Sequence, residues 1–130
     1  MSVSHVLTFK VVPDGGTPIE KSVTVEAGAA PLVDEDVDAS QTDHQINVAL
    51  DVDQIQYIYI VATQDCTLET NSGAAPDDTI NLEANVPVVY LRPASGSIPA
   101  CPLSVDVTAI FITNTAALNI KIRALVDPTP

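Results

Sequence analysis

Ile55-Gln56-Tyr57-Ile58-Tyr59-Ile60-Val61-Ala62 is the stretch whose reading decides the fold. Side chains on a strand alternate between faces. Read at period two, Ile55, Tyr57, Tyr59 and Val61 form one face, and Ile58, Ile60 and Ala62 the other. A helical reading would need an apolar period of 3.6 over a longer run, and the stretch is bounded by Asp53 and by Thr63-Gln64-Asp65. It therefore reads as a β-strand that is covered on both sides. A small sandwich covers only the inner face of each strand. The second face must meet a loop or another subunit.

Working outward, the same period recurs. Val3 to Val12 alternates through His5, Leu7, Phe9 and Val11, and Pro13-Asp14-Gly15-Gly16 turns the chain into Ile19 to Glu26. Ile46 to Leu50, Asp65 to Thr70, Thr79 to Glu83, Val86 to Arg92, Val105 to Asn114 and Asn119 to Val126 read as further strands. Pro87 marks a strand end or an edge. Residues 27–45 show no strand period and contain the acidic run Val33-Asp34-Glu35-Asp36-Val37-Asp38, so they read as a long exposed loop. Residues 71–78 and 93–102 are loops by composition, and the Pro-containing tail 127–130 extends no ladder well. Eight or nine short strands in 130 residues predict one all-β domain, a β-sandwich of jelly-roll type.

Composition agrees and narrows the function. Val, Ile and Thr supply 40 of the 130 residues, a load that suits pleated, half-buried surfaces. The net charge of −12 disfavours nucleic acid and anionic membranes as partners. The N-terminal residues show no secretory pattern, and no apolar run approaches the roughly 20 residues of a membrane helix. Cys66 and Cys101 read as two small buried hydrophobes, with a disulfide between neighbouring strands as the alternative.

Motifs for chemistry are sparse. Asp34, Asp36 and Asp38 have the alternate spacing that opens a calcium loop, but Ala39 stands where that loop needs glycine and Gln45 where it needs a bidentate glutamate. The ordinary reading is a solvated acidic loop, with no metal and no cofactor. His5, His44, Cys66 and Cys101 match no compact zinc spacing. No nucleophile elbow or phosphate-binding loop occurs, so the expectation is not an enzyme. The bases Arg92, Lys121 and Arg123 pair either with acids of their own subunit or with a neighbour's, and Tyr57 and Tyr59 sit on one face of the central strand. These five residues are the candidate interface with another subunit or protein.

Two segments carry a family resemblance. Asp65-Cys66-Thr67-Leu68-Glu69-Thr70-Asn71-Ser72-Gly73-Ala74-Ala75-Pro76-Asp77-Asp78-Thr79-Ile80, followed by Val86-Pro87-Val88-Val89-Tyr90, forms the first. The second is Val107 to Asn114 with Leu118-Asn119-Ile120-Lys121-Ile122-Arg123. Together they resemble small virion structural proteins of tailed bacteriophages. The resemblance is one of segment order, not of a site motif. It implies a virion location after synthesis in the bacterial cytoplasm, and a role as a capsid decoration or cement protein. Its partners would be the major capsid protein or other virion proteins, and it would form a homo-oligomer, with a trimer preferred. Bases Lys10, Lys21, Arg92, Lys121 and Arg123 would then anchor to acidic shell patches. A tail- or fibre-associated part is the alternative, with a carbohydrate- or cell-binding module behind it.

Overall fold

The computed structural model describes residues 3–92 and 101–126. Ten strands are present among them: β1 (Val3–Val11), β2 (Ile19–Ala27), β3 (Leu32–Val37), β4 (His44–Leu50), β5 (Ile55–Ala62), β6 (Cys66–Thr70), β7 (Thr79–Leu82), β8 (Val88–Leu91), β9 (Val107–Asn114) and β10 (Leu118–Val126). Four antiparallel pairings nest inside one another. β6 pairs with β7, β5 with β8, β4 with β9 and β3 with β10. The chain from β3 onward is thus one long hairpin, and rolling it brings β10 against β5 and β9 against β6. The result is two four-stranded sheets, β3-β10-β5-β8 and β4-β9-β6-β7. That is the eight-stranded jelly roll expected from the sequence.

The core lies between the sheets. Ile58 and Ile60 of β5, Ile120 and Ile122 of β10, Leu68 of β6 and Ile110 and Ile112 of β9 are almost completely buried. Each contributes roughly 1.5–3 kcal/mol by leaving water. Two buried polar side chains hold the ends. Asn114 donates to the carbonyls of Asp38 and Ala116, both at 2.9 Å, and accepts from the Gln41 amide at 2.9 Å. Thr70 accepts from the Asp78 amide at 2.9 Å.

Four expectations are corrected. Residues 27–45 are not one exposed loop: Leu32–Val37 is an edge strand, and His44 and Gln45 open β4. Val33 and Val37 face the core while Leu32, Asp34 and Asp36 face out, so the alternation was real but its inward position 35 is glutamate. The first two strands do not belong to the sandwich. They form a separate two-stranded sheet in full register from Val3–Ala27 to Val11–Ile19. The outward face of β5 meets that hairpin, an element of the same chain, rather than a loop or a second subunit. Finally, the strand placed at Val105 begins at Val107, and Val105 is exposed. The loop proposed at 93–102 lies outside the described residues up to residue 100, as does the tail 127–130. Cys66 is buried, Cys101 is half-buried, and both are free thiols.

Candidate interaction face

Strand register builds the outer face of the β3-β10-β5-β8 sheet. Tyr57, Tyr59 and Val61 point outward along β5. Opposite them on β10 stand Leu125, Arg123 and Lys121. β8 places Leu91 beside Tyr57 and Val89 beside Tyr59. β3 places Leu32 beside Arg123 and Asp34 beside Lys121. The face is therefore apolar at one end and charged at the other.

The β1–β2 hairpin lies over the apolar end as an arm. Its strands of nine residues span about 30 Å at the usual rise per residue. At its root Val3, Leu7, Val25 and Ala27 pack on Tyr57, Leu125 and Leu91, a cluster separate from the main core. The Tyr57 hydroxyl hydrogen-bonds Nδ1 of His5, and the two rings meet edge to face with centroids 5.7 Å apart. Burial pushes the Tyr57 hydroxyl above its ordinary pKa, against the opposing pull of Arg123. It stays protonated at neutral pH. Beyond the root the arm lifts away and leaves an open groove of about 570 Å³. Leu7, Phe9, Lys10, Tyr57, Tyr59, Val89 and Arg123 are among its lining.

Exposed apolar side chains concentrate here. Of the ten large hydrophobics exposed among the described residues, Val6, Phe9, Val11, Val12 and Ile19 lie on the arm or its turn, and Leu32, Tyr59 and Val89 lie on this sheet face. Val11 and Ile19, paired at the arm's far end, are 60% and 61% exposed. The opposite sheet presents a different surface. Gln45, Glu69 and Thr79 share a row with half-buried Phe111, and Thr67, Asn81 and Thr113 form the next. The molecule thus has a polar side and an apolar, arm-bearing side. Contiguous exposed apolar patches mark interaction surfaces.

The candidate interface residues divide accordingly. Tyr57, Tyr59, Lys121 and Arg123 come together on the arm-bearing face. Arg92 is engaged elsewhere: its guanidinium donates to the carbonyls of Ile55 at 2.7 Å and Asp53 at 3.0 Å, tying β8 to the short 3-10 turn Val52–Gln54. Arg123 donates to the Val33 carbonyl at 2.9 Å and Lys121 lies 3.7 Å from Asp34, so both pair within their own subunit. Lys10 likewise lies 3.9 Å from Glu20 across the arm.

Asp34 and Asp36 share the outer face of β3 and accept from one Asn119 amide, at 3.0 and 2.9 Å. A hydrogen-bond donor sits where a cation would sit. The Asn119 bond holds the Asp34 carboxyl below its ordinary value despite desolvation, with Lys121 and Arg123 assisting. Asp38 follows the strand and does not join them in a cluster of metal-ligating side chains; no such cluster occurs among the described residues. His5, His44, Cys66 and Cys101 are also not brought together. His44 instead bonds Glu35 at 2.6 Å, linking the edge strands of the two sheets. No helix among the described residues is long and apolar enough to cross a membrane.

Sequence reasoning missed the arm as a separate body. Its two strands alternate at period two like those of the sandwich, so nothing in the segment itself set it apart. Comparison with known protein families, with curated proteins and with solved structures finds no match.

Proposed function

We propose that this protein is a bacteriophage virion structural protein that decorates the assembled capsid and reinforces it without catalysis. The observation that carries the reading is the two-sided surface: one sheet face is polar, and the other is overlaid by the two-stranded arm and carries most of the exposed large apolar side chains. Such a molecule is suited to lying on a large protein surface with its polar side to solvent. The resemblance of the segments from Asp65 to Arg123 to small phage virion proteins supplies the particle. Jelly rolls serve in viral shells, though fold alone assigns no function. The far end of the arm, with Phe9, Val11 and Ile19, is the apolar contact, and Lys10 and Lys21 beside it provide cations for acidic shell patches. Placement of many copies on a symmetric shell multiplies weak contacts by avidity.

The test mixes purified protein with shells that lack it, pellets them and heats them. Saturable binding with a raised disruption temperature is expected. Val11→Asp and Ile19→Asp, both at exposed sites, should abolish binding while leaving the circular dichroism unchanged. Absence of binding, together with labelling of the tail in whole particles, overturns this reading in favour of a tail- or fibre-associated part.

A further inference from the structure

We infer that the groove beside β1 receives an extended, acidic peptide segment of a partner protein, which adds to the unpaired edge of β1 as a third strand and sets a carboxylate on Arg123. The inference goes beyond the shell reading, because it concerns the segment and holds whatever protein carries it.

The lining places the groove. Six consecutive residues of β1, Val6 to Val11, border it, and none of β2 does. Side chains of a strand alternate between faces, so a groove beneath the ribbon would meet every second residue, and of both strands. Contact with each residue in turn means that the groove runs along the edge of β1 turned away from β2. That edge is bare. β1 pairs with β2 alone, and no other backbone hydrogen bond reaches residues 3–11 among the described residues. Alternate residues of β1 therefore point an amide N–H and a carbonyl into the groove. The row of six spans about 20 Å at the usual rise per residue. A second extended backbone meets such a row of donors and acceptors along its whole length, which is the basis of recognition by strand addition.

Charge states which segment. The chain carries −12, yet the groove is bordered by Lys10 and Arg123 and by no carboxylate. Lys10 lies 3.9 Å from Glu20 across the ribbon. Arg123 has no carboxylate within ion-pair distance among the described residues. It donates through one terminal nitrogen to the carbonyls of Val33 and Ile122, at 2.9 and 3.0 Å, and Asp34 feels its charge only from further away. Tyr59 stands directly across from it on the same face and is exposed. A carboxylate entering here gains charge-assisted hydrogen bonds from the guanidinium. The Tyr59 ring, with Val89 and Pro87, supplies an apolar wall for the neighbouring side chains of the segment.

The probe is a blocked eight-residue peptide of alternating serine and valine, with one central valine replaced by glutamate. It is titrated into 15N-labelled wild-type protein and followed by NMR and calorimetry. Saturable binding is expected, with shifts centred on β1, Tyr59, Val89 and Arg123, and with slowed hydrogen exchange at alternate amides of β1. Glutamine in place of the peptide's glutamate should weaken binding about tenfold, the usual cost of a lost charge-assisted hydrogen bond. The same peptide change should cost nothing against Arg123→Gln. N-methylation of the peptide amides that face β1 should abolish binding with every side chain kept. Because the peptide variants are read on wild-type protein, the result stands even where Arg123→Gln fails to fold. Sodium decanoate, an apolar carboxylate without a peptide backbone, should bind much more weakly. Absence of saturable peptide binding overturns the inference, as does equal binding of the N-methylated peptide or of decanoate. Protection of the β1 edge that rises with protein concentration alone also overturns it, since a second copy would then be the occupant. The assay contains no shell, so its failure leaves the decoration reading untouched, and failure to bind shells leaves the peptide result untouched.

Discussion

Asn114 shows how much of the fold one side chain can hold. It is buried at the end of β9, where its amide satisfies three backbone groups from the segment after β3 and from the turn before β10. Asn114→Ala removes the partner of all three groups, which lie in a part-buried turn region with Asp38 and Ala116 themselves exposed. Such losses cost about 1–3 kcal/mol for each buried group, partly relieved by relaxation, so we expect a net loss of about 2–3 kcal/mol. A lower urea midpoint at constant slope would register it. Cys66 makes a second residue-scale prediction. Burial, and then the neighbouring Asp65 charge, push its thiol up to about 11. The neutral thiol is the form the fold prefers. Its contribution is present below the ordinary value of 9.0 and is lost as pH rises from there towards 11. The stability difference between wild type and Cys66→Ala should therefore shrink across that window. At pH 8 a thiol reagent should find Cys66 slow in the native state and fast in denaturant.

Elements differ in how firmly they are held. A two-stranded ribbon alone is marginal in water, and the arm is secured by a small root cluster. Its amides should exchange through an opening that costs less than global unfolding, whereas those of β5, β9 and β10 should report the global value. Hydrogen exchange resolved by NMR measures both, and equal protection in the two groups would contradict a weakly docked arm. The β3 strand presents the opposite problem, an edge that must not recruit partners. Glu35 points inward between Val33 and Val37 and is hydrogen-bonded to His44 at 2.6 Å. Inward-pointing charges on edges are a known guard against sheet-to-sheet pairing. The pair is partly exposed and contributes little stability, of the order of 0–1 kcal/mol. Glu35→Val should accordingly leave the urea midpoint nearly unchanged and raise light scattering on mild heating.

The whole molecule carries −12 charges, nearly all on the sandwich. That excess keeps bodies apart, and it sets the sign of the salt response. Salt of about 0.5 M shortens the screening length to a few ångströms. Repulsion between copies weakens, while apolar contacts between exposed side chains do not. Self-association should therefore tighten from about 0.02 to 0.5 M salt, as read by sedimentation equilibrium. Loosening instead would mean that opposite charges hold the copies together.

Local pattern alone was enough to show the all-β class and most of the strands, because a period of two is written in each segment independently of its neighbours. Ile58, Ile60 and Ala62 were legible as core for that reason, and Pro87 placed the start of an edge strand. The acidic strand β3 was not legible. Glu35 occupies an inward position that reads as polar until His44 arrives from the other sheet to receive it. Tyr57, Tyr59, Lys121 and Arg123 could be named as interface candidates, but Arg92 could not be set apart from them, since its backbone partners become neighbours only when β8 lies against β5. The free state of the two cysteines likewise depends on where the rolled sheets carry them. The arm was the largest omission. Its two strands alternate like those of the sandwich, and no local signal says which sheet a hairpin will join. Only the tertiary structure decided that, because the nested pairing of β3 with β10 leaves β10 already paired on both sides, so the hairpin lies across the outer face instead.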